Sequence, residues 1–243
     1  NVAFTGNGSS VANAVSFAND GTLILGASGG TQTYNGGLTT TSVGSTVTLN
    51  GTIASSDDAI VLGAVTLASA TTIDTNSTTT NRADITIAAI TGGSNTLTLT
   101  TENNVTGSDV TASGAISGVT TLTLASVGGT ATLSADVDVT TLAVDNTVAN
   151  VAFAGNGSSV TNAVSFANDG TLILGTSGGT QTYNAGLTTT SVGSTVTLNG
   201  TIATSNDAVV LGAVTLGSAT TIDTNATDRS EERRVGKECR SRW

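Results

Sequence analysis

The residues best suited to chemistry in this chain are carboxylates. Asp57 and Asp58 are adjacent, and Asp136 and Asp138 stand two apart in SADVDVT. A carboxylate pair is the minimum for glycoside hydrolysis, where one member donates a proton and the other acts as base or nucleophile. The counterpart of Asp57 and Asp58 later in the chain is Asn206 and Asp207, so a catalytic pair would be broken in half of its occurrences. A solvated turn needs no such pair and accounts for both versions. Side chains two apart on a strand share a face, which puts Asp136 and Asp138 together and outward, where hard oxygen ligands suit calcium. No Asp-rich nonapeptide of the calcium-binding kind accompanies them. Asp20 and Asp169, each in ANDGT, read as Asp-Gly turns.

Other chemistries lack their parts. Histidine is absent, and the only cysteine (Cys239) and only lysine (Lys237) lie in the last fifteen residues. The body of the chain therefore cannot build a Ser-His-Asp or Cys-His arrangement, or a His- or Cys-ligated metal site. A polysaccharide lyase needs a strong base. The one candidate is Arg82, in the turn-like stretch TTTNRADI, and it reads more simply as a solvated turn residue beside Asp84. No catalytic, cofactor-binding or metal site is assigned, and the expectation is a chain that is not an enzyme and carries no cofactor.

Residues 229–243, RSEERRVGKECRSRW, differ from everything before them. They hold six of the seven basic residues, the only tryptophan (Trp243) and three of the four glutamates. The string resembles the in-frame translation of a sequencing adapter over all of its fifteen residues, so it is set aside from fold reasoning as a non-native tail. Taking its three glutamates from the 17 acidic residues leaves 14 against Arg82 alone, a net charge of −13 over residues 1–228. Phosphate recognition draws on Lys and Arg, so nucleic acid and anionic membrane are excluded as partners. Methionine is absent, which implies an internal piece of a longer protein. No apolar run reaches the ~20 residues of a membrane-spanning helix.

The elements that would position any site are repetitive. Residues 1–77 return almost unchanged as residues 150–226, displaced by 149 positions. This divides the chain into a repeat unit over 1–149, a partial second copy over 150–228 and the tail over 229–243. Within a unit, apolar residues alternate with Thr, Ser or Ala in short bursts such as TLIL (22–25), TVTL (46–49), DITI (84–87), TLTL (96–99) and TLTL (121–124). Period two with β-branched residues indicates half-buried strands, and Gly, Asn, Asp and Ser between the bursts indicate turns. Residues 10–17 could pass for a helix, but Val15 and Phe17 fit a strand better.

Taking Leu23, Val47, Val65, Ile85, Leu122 and Leu142 as one inward column gives gaps of 24, 18, 20, 37 and 20, with a further coil around 105–110 inside the longest. A unit is then about seven coils of roughly 21 residues, the length of a β-solenoid repeat. The expected fold is all-β, a right-handed parallel β-helix, with Val, Ile and Leu inside, Thr outside and Asn able to form ladders at the turns.

Two surface features remain. Thr-x-Thr pairs begin at Thr31, Thr46, Thr96, Thr121 and Thr130, and stacked outward threonines on a flat face can order water and bind ice. The gaps of 15, 50, 25 and 9 read as a broken array. The aromatic residues recur in both copies: Phe4 with Phe153, Phe17 with Phe166 and Tyr34 with Tyr183. The phenylalanines are expected in the core, and Tyr34, in GTQTYNGG, at a rim where it could meet a ligand.

Runs such as SDDAIVLGAVTLASATTIDT (56–75) and NTLTLTTENNVTGSDVTASGAISGVTTLTLASVGG (95–129) resemble the repetitive regions of large bacterial exoproteins, the filamentous-haemagglutinin-like adhesins and autotransporter passengers. The likeness lies in composition and style across residues 1–228. It implies secretion to the cell surface and a role as structural shaft or adhesive stalk continuing end to end into further repeats. It places no functional residue. The alternatives are a β-helix that degrades polysaccharide with carboxylates alone, and a surface-layer or ice-binding solenoid.

Overall fold

A computed structural model describes residues 1–75, 83–102 and 107–224. Arg82, the tail over 229–243 and the 105–106 portion of the expected extra coil lie outside the described residues, as do all seven basic side chains. The described residues contain 23 strands and no helix, hence no helix long and apolar enough to cross a membrane. Every strand pairing is parallel. Parallel neighbours cannot be joined by a hairpin, so the chain circles an axis and returns one level up. The protein is a β-solenoid.

Each coil has three faces. In the first coil they are Val2–Phe4, Ser9–Val11 and Val15–Ser16, after which Leu23–Leu25 stacks on Val2–Phe4. Three inward ladders follow. The first runs Val2, Leu23, Val47, Val65, Ile90, Ile116 and Val137. The pairings of Asp138 with Ser159, Ser159 with Thr182, Gln181 with Ile202 and Ile202 with Ile222 carry it upward. The second runs Ser9, Gln32, Ile53, Ile73, Leu99, Leu124 and Val144. The third runs Val15, Leu38, Ile60, Ile85, Val110, Ala131, Val151, Leu172, Val196 and Val214. The first ladder spans about ten turns, or ~48 Å at the ~4.8 Å spacing of paired strands.

All six residues taken from the sequence as inward are buried, but they do not form one column. Leu23, Val47 and Val65 lie on the first ladder and Ile85 on the third, while Leu122 and Leu142 pair with each other on the second face. Alternation tells inside from outside and says nothing about which side of a triangle a residue occupies. The coils also vary in length, with 18 residues from Val47 to Val65 and 26 from Ile90 to Ile116. Corners and bulges absorb the difference. Between Leu49 and Gly51 the register against the strand Ile60–Asp74 shifts. Gly51 holds a φ of 63° there, and a Cβ would stand 2.3 Å from the Ala27 carbonyl oxygen and 2.4 Å from that of Gly30. Only glycine fits that corner.

The core is a continuous aliphatic column that includes Leu23, Leu25, Ile53, Ile73, Leu97, Leu99 and Leu124, all with no exposed surface. Each such side chain contributes about 1.5–3 kcal/mol on burial. Thr48, Thr66, Thr98 and Thr123 are half-exposed and point outward as alternation requires, but Thr71, Thr75, Thr100 and Thr101 are buried near corners. Three of these hydroxyls donate to carbonyls near corners: Thr71 Oγ1 to Ser69 O (3.0 Å), Thr75 Oγ1 to Ala83 O (2.9 Å) and Thr101 Oγ1 to Ser126 O (3.2 Å). Residues 10–17 carry the strands Ser9–Val11 and Val15–Ser16.

Candidate functional site

The carboxylates belong to the corners. Asp84 Oδ1 accepts the N–H of Asp109 from the next coil (2.8 Å), and Asp109 Oδ1 accepts that of Thr130 one coil further (2.7 Å). Asn150 Oδ1 plays the same part toward Thr171 N (2.9 Å), and Asn1 Oδ1 toward Thr22 N (3.0 Å). Each of these residues directly precedes a ladder position, where the backbone turns and an N–H would otherwise lack a strand partner. The laddering expected of Asn at the turns is therefore shared with Asp.

Asp136 and Asp138 point outward from the start of the strand Val137–Val144, yet they do different things. Asp136 Oδ1 accepts Gly157 N (2.6 Å) as another corner acceptor, while Asp138 is exposed. No group of three or more His, Cys, Asp or Glu side chains stands together among the described residues. Asp57 sits in a turn at φ 64°, and Asn206 occupies the same place in the second copy at φ 66°. Asp and Asn tolerate this left-handed conformation better than other non-glycine residues, which accounts for the exchange between copies without a chemical role. Asp58, Asp20 and Asp169 are exposed bend residues.

Tyr34 is not at a rim. It is fully buried, as is Tyr183. Along Thr31–Tyr34 the alternation puts Thr31 and Thr33 outside and Gln32 and Tyr34 inside. The Tyr34 hydroxyl donates to Gln32 Oε1 (2.9 Å), which also accepts Gly26 N (3.0 Å). Gln32 Nε2 donates to Phe4 O (2.6 Å) and Gly6 O (3.1 Å) in the coil below. The tyrosine ring lies 6.3 Å from that of Phe4. The second copy rebuilds the arrangement with Tyr183, Gln181, Phe153 O and Gly155 O. Burial raises both phenol pKa values above their ordinary 10.0. The parity of TQTY is the sequence signal for the glutamines, because a residue between two outward threonines must face in. As expected, the phenylalanines fill the core: Phe153 and Phe166 are buried, and Phe4 and Phe17 pack against it half-exposed.

The outward threonines are more ordered than their spacing suggests. Thr31 pairs with Thr52, Thr52 with Thr72, Thr72 with Thr98 and Thr98 with Thr123, an unbroken file over five coils of the second face. Uneven gaps in sequence do not break a file when corners absorb the difference. The file is doubled where Thr96 and Thr98 stack on Thr121 and Thr123; below that level Ala70 and Asn50 take the neighbouring place.

A groove of about 370 Å³ opens beside this face, lined by Ser94, Thr120, Asp138, Thr140, Ser159 and Thr161 together with Gly118 and Val119. It follows a register shift between Ser117 and Val119, where Gly118 adopts a φ of 66°. Its lining offers hydroxyls and a single carboxylate, one short of the pair that glycoside hydrolysis employs. No protein-family model matches the chain, and comparisons with curated proteins and with solved structures find no match.

Proposed function

We propose that this chain is a non-enzymatic shaft of a secreted bacterial surface protein, a stalk that spans distance and makes many weak surface contacts. The observation that supports it most is the use of the reactive groups. Asp84, Asp109 and Asp136 tie corner N–H groups of successive coils together, and the groove is lined by one carboxylate, Asp138. A continuous, mostly aliphatic interior suits a module whose output is length, and weak contacts on such a module gain avidity with copy number. Incubating the chain with a panel of acidic and neutral glycans tests the reading. No new reducing ends or unsaturated products are expected, and turnover of any glycan would overturn it.

The threonine file favours one alternative specifically, a solenoid that lays a flat hydroxyl face on a surface lattice or on ice. Inhibition of ice recrystallisation by the chain would favour that alternative over the stalk.

A further inference from the structure

The repeat and the coil are out of step. Val2 and its copy Val151 do not share a ladder: Val2 begins the first, whereas Val151 stacks on Ala131 in the third. Ser9 and its copy Ser158 are displaced in the same sense. Ser9 lies on the second ladder, and Ser159, next to Ser158, stacks on Asp138 of the first face. Seven full turns from Val2 lead to the level of Ser158, one face beyond Val151. The 149-residue unit is therefore one face short of seven coils, and its second copy is turned by one side of the triangle.

The threonine file shows the effect on the surface. In the first copy it climbs the second face through Thr31, Thr52, Thr72, Thr98 and Thr123. In the second copy the same residues, Thr180, Thr201 and Thr221, stack on one another on the first face, on the strand whose Thr182 pairs with Ser159 and, through it, with Asp138. Resting on the shaft reading, we infer that the unit length is an indexing device. Each successive copy presents the same contact surface on the next side of the stalk, and a third copy would complete the circuit. The file has five rungs and is about 20 Å long. An extended flat lattice would meet matching threonines for that length and then lose them round a corner.

Cysteine cross-linking in the full chain with Cys239→Ser tests the phase. The pair Thr132→Cys with Ala152→Cys joins outward residues on adjacent coils only in the rotated arrangement. A unit of seven whole coils would put Ala152 over Asp138 instead, so Asp138→Cys with Ala152→Cys is its opposite. Thr98→Cys with Thr123→Cys, within the first copy, establishes that the coils have formed. Adjacent parallel strands fall within disulfide reach. The expected result under mild oxidation is at least tenfold faster bonding for the 132/152 pair than for the 138/152 pair, with the 98/123 pair matching the former. Bonding of 98/123 without 132/152, or faster bonding of 138/152, would overturn the rotation. Failure of 98/123 as well would overturn the coil stacking on which the rotation is built. Because the assay reads only phase, loss of the rotation leaves the stalk proposal standing, and glycan turnover would remove the stalk while leaving the rotation.

Discussion

The strand Ile60–Asp74 and its counterpart in the second copy share nearly every residue and end up in different situations. The first is one strand of 15 residues in which Ile60, Leu62, Val65, Leu67 and Ile73 are at most 3% exposed. The second divides into Val209–Val210 and Val214–Asp223, with Val214 at 39%, Leu216 at 62% and Ile222 at 47%. Ile60–Asp74 has coils on both sides, Leu38–Thr39 and Val47–Ser55 below and Ile85–Thr91 and Leu97–Thr100 above. Among the described residues, Val214–Asp223 pairs with Val196–Ala203 alone. Local sequence sets the extended backbone and its parity; the neighbouring coil supplies burial and the length over which the strand holds. Stability here is an interface property, as in any stacked repeat.

The comparison breaks most visibly at matched leucines. Leu67→Ala should cost about 2–5 kcal/mol by emptying a buried site, whereas Leu216→Ala should change stability by less than about 0.5 kcal/mol. Opening free energies from amide hydrogen exchange across the flanking coils would show the contrast, and equal effects would refute it. Gln32→Leu should destabilise the lower coils by about 1–3 kcal/mol, since it removes the partners that Gln32 gives the Tyr34 hydroxyl and the Gly6 carbonyl, while the Phe4 carbonyl keeps Gly26 N. Gln181→Leu should do the same in the upper coils, and hydrogen exchange resolves which coils respond.

The tyrosines sharpen it with pH. Below pH 10.0, the ordinary phenol value, folded and unfolded chains both keep the proton. Above it the unfolded chain releases the proton while the buried, raised tyrosines hold theirs, so stability falls as pH rises. The slope is about 1.4 kcal/mol per pH unit for each tyrosine. Denaturant titrations at pH 9 to 11 should show it, and Tyr34→Phe with Tyr183→Phe should flatten it. The smallest effect is expected from Asp57→Asn, which converts the first turn into the second copy's version. Its unfolding free energy from denaturant titration should stay within about 0.5 kcal/mol of the parent's.

Much of this architecture is legible in the residues. Period-two bursts place the strands, and the 149-residue recurrence marks a stacked array. Three things are not legible. The face of each strand depends on how many residues a corner consumes, so Ile85 and Leu122 look like one column with Leu23 although they occupy different sides. Tyr34 follows a glycine-rich stretch that suggests exposure, and only its parity with Gln32 puts it inside. The corner carboxylates resemble candidate ligands in sequence because their partners are N–H groups 21 to 25 residues away, as for Asp136 with Gly157 and Asp84 with Asp109.

The unequal coils carry a consequence for how such a chain can change. A turn of 18 residues and one of 26 coexist in the same ladders, so the corners accommodate different lengths while the aliphatic stack keeps its alignment. Lengthening a corner loop is thermodynamically mild, about 0.6 kcal/mol for each doubling. Evolution, or an engineer, can therefore graft whole peptides at these vertices without touching what lies inside, and the molecule serves as a rail along which new functions can be mounted one level at a time.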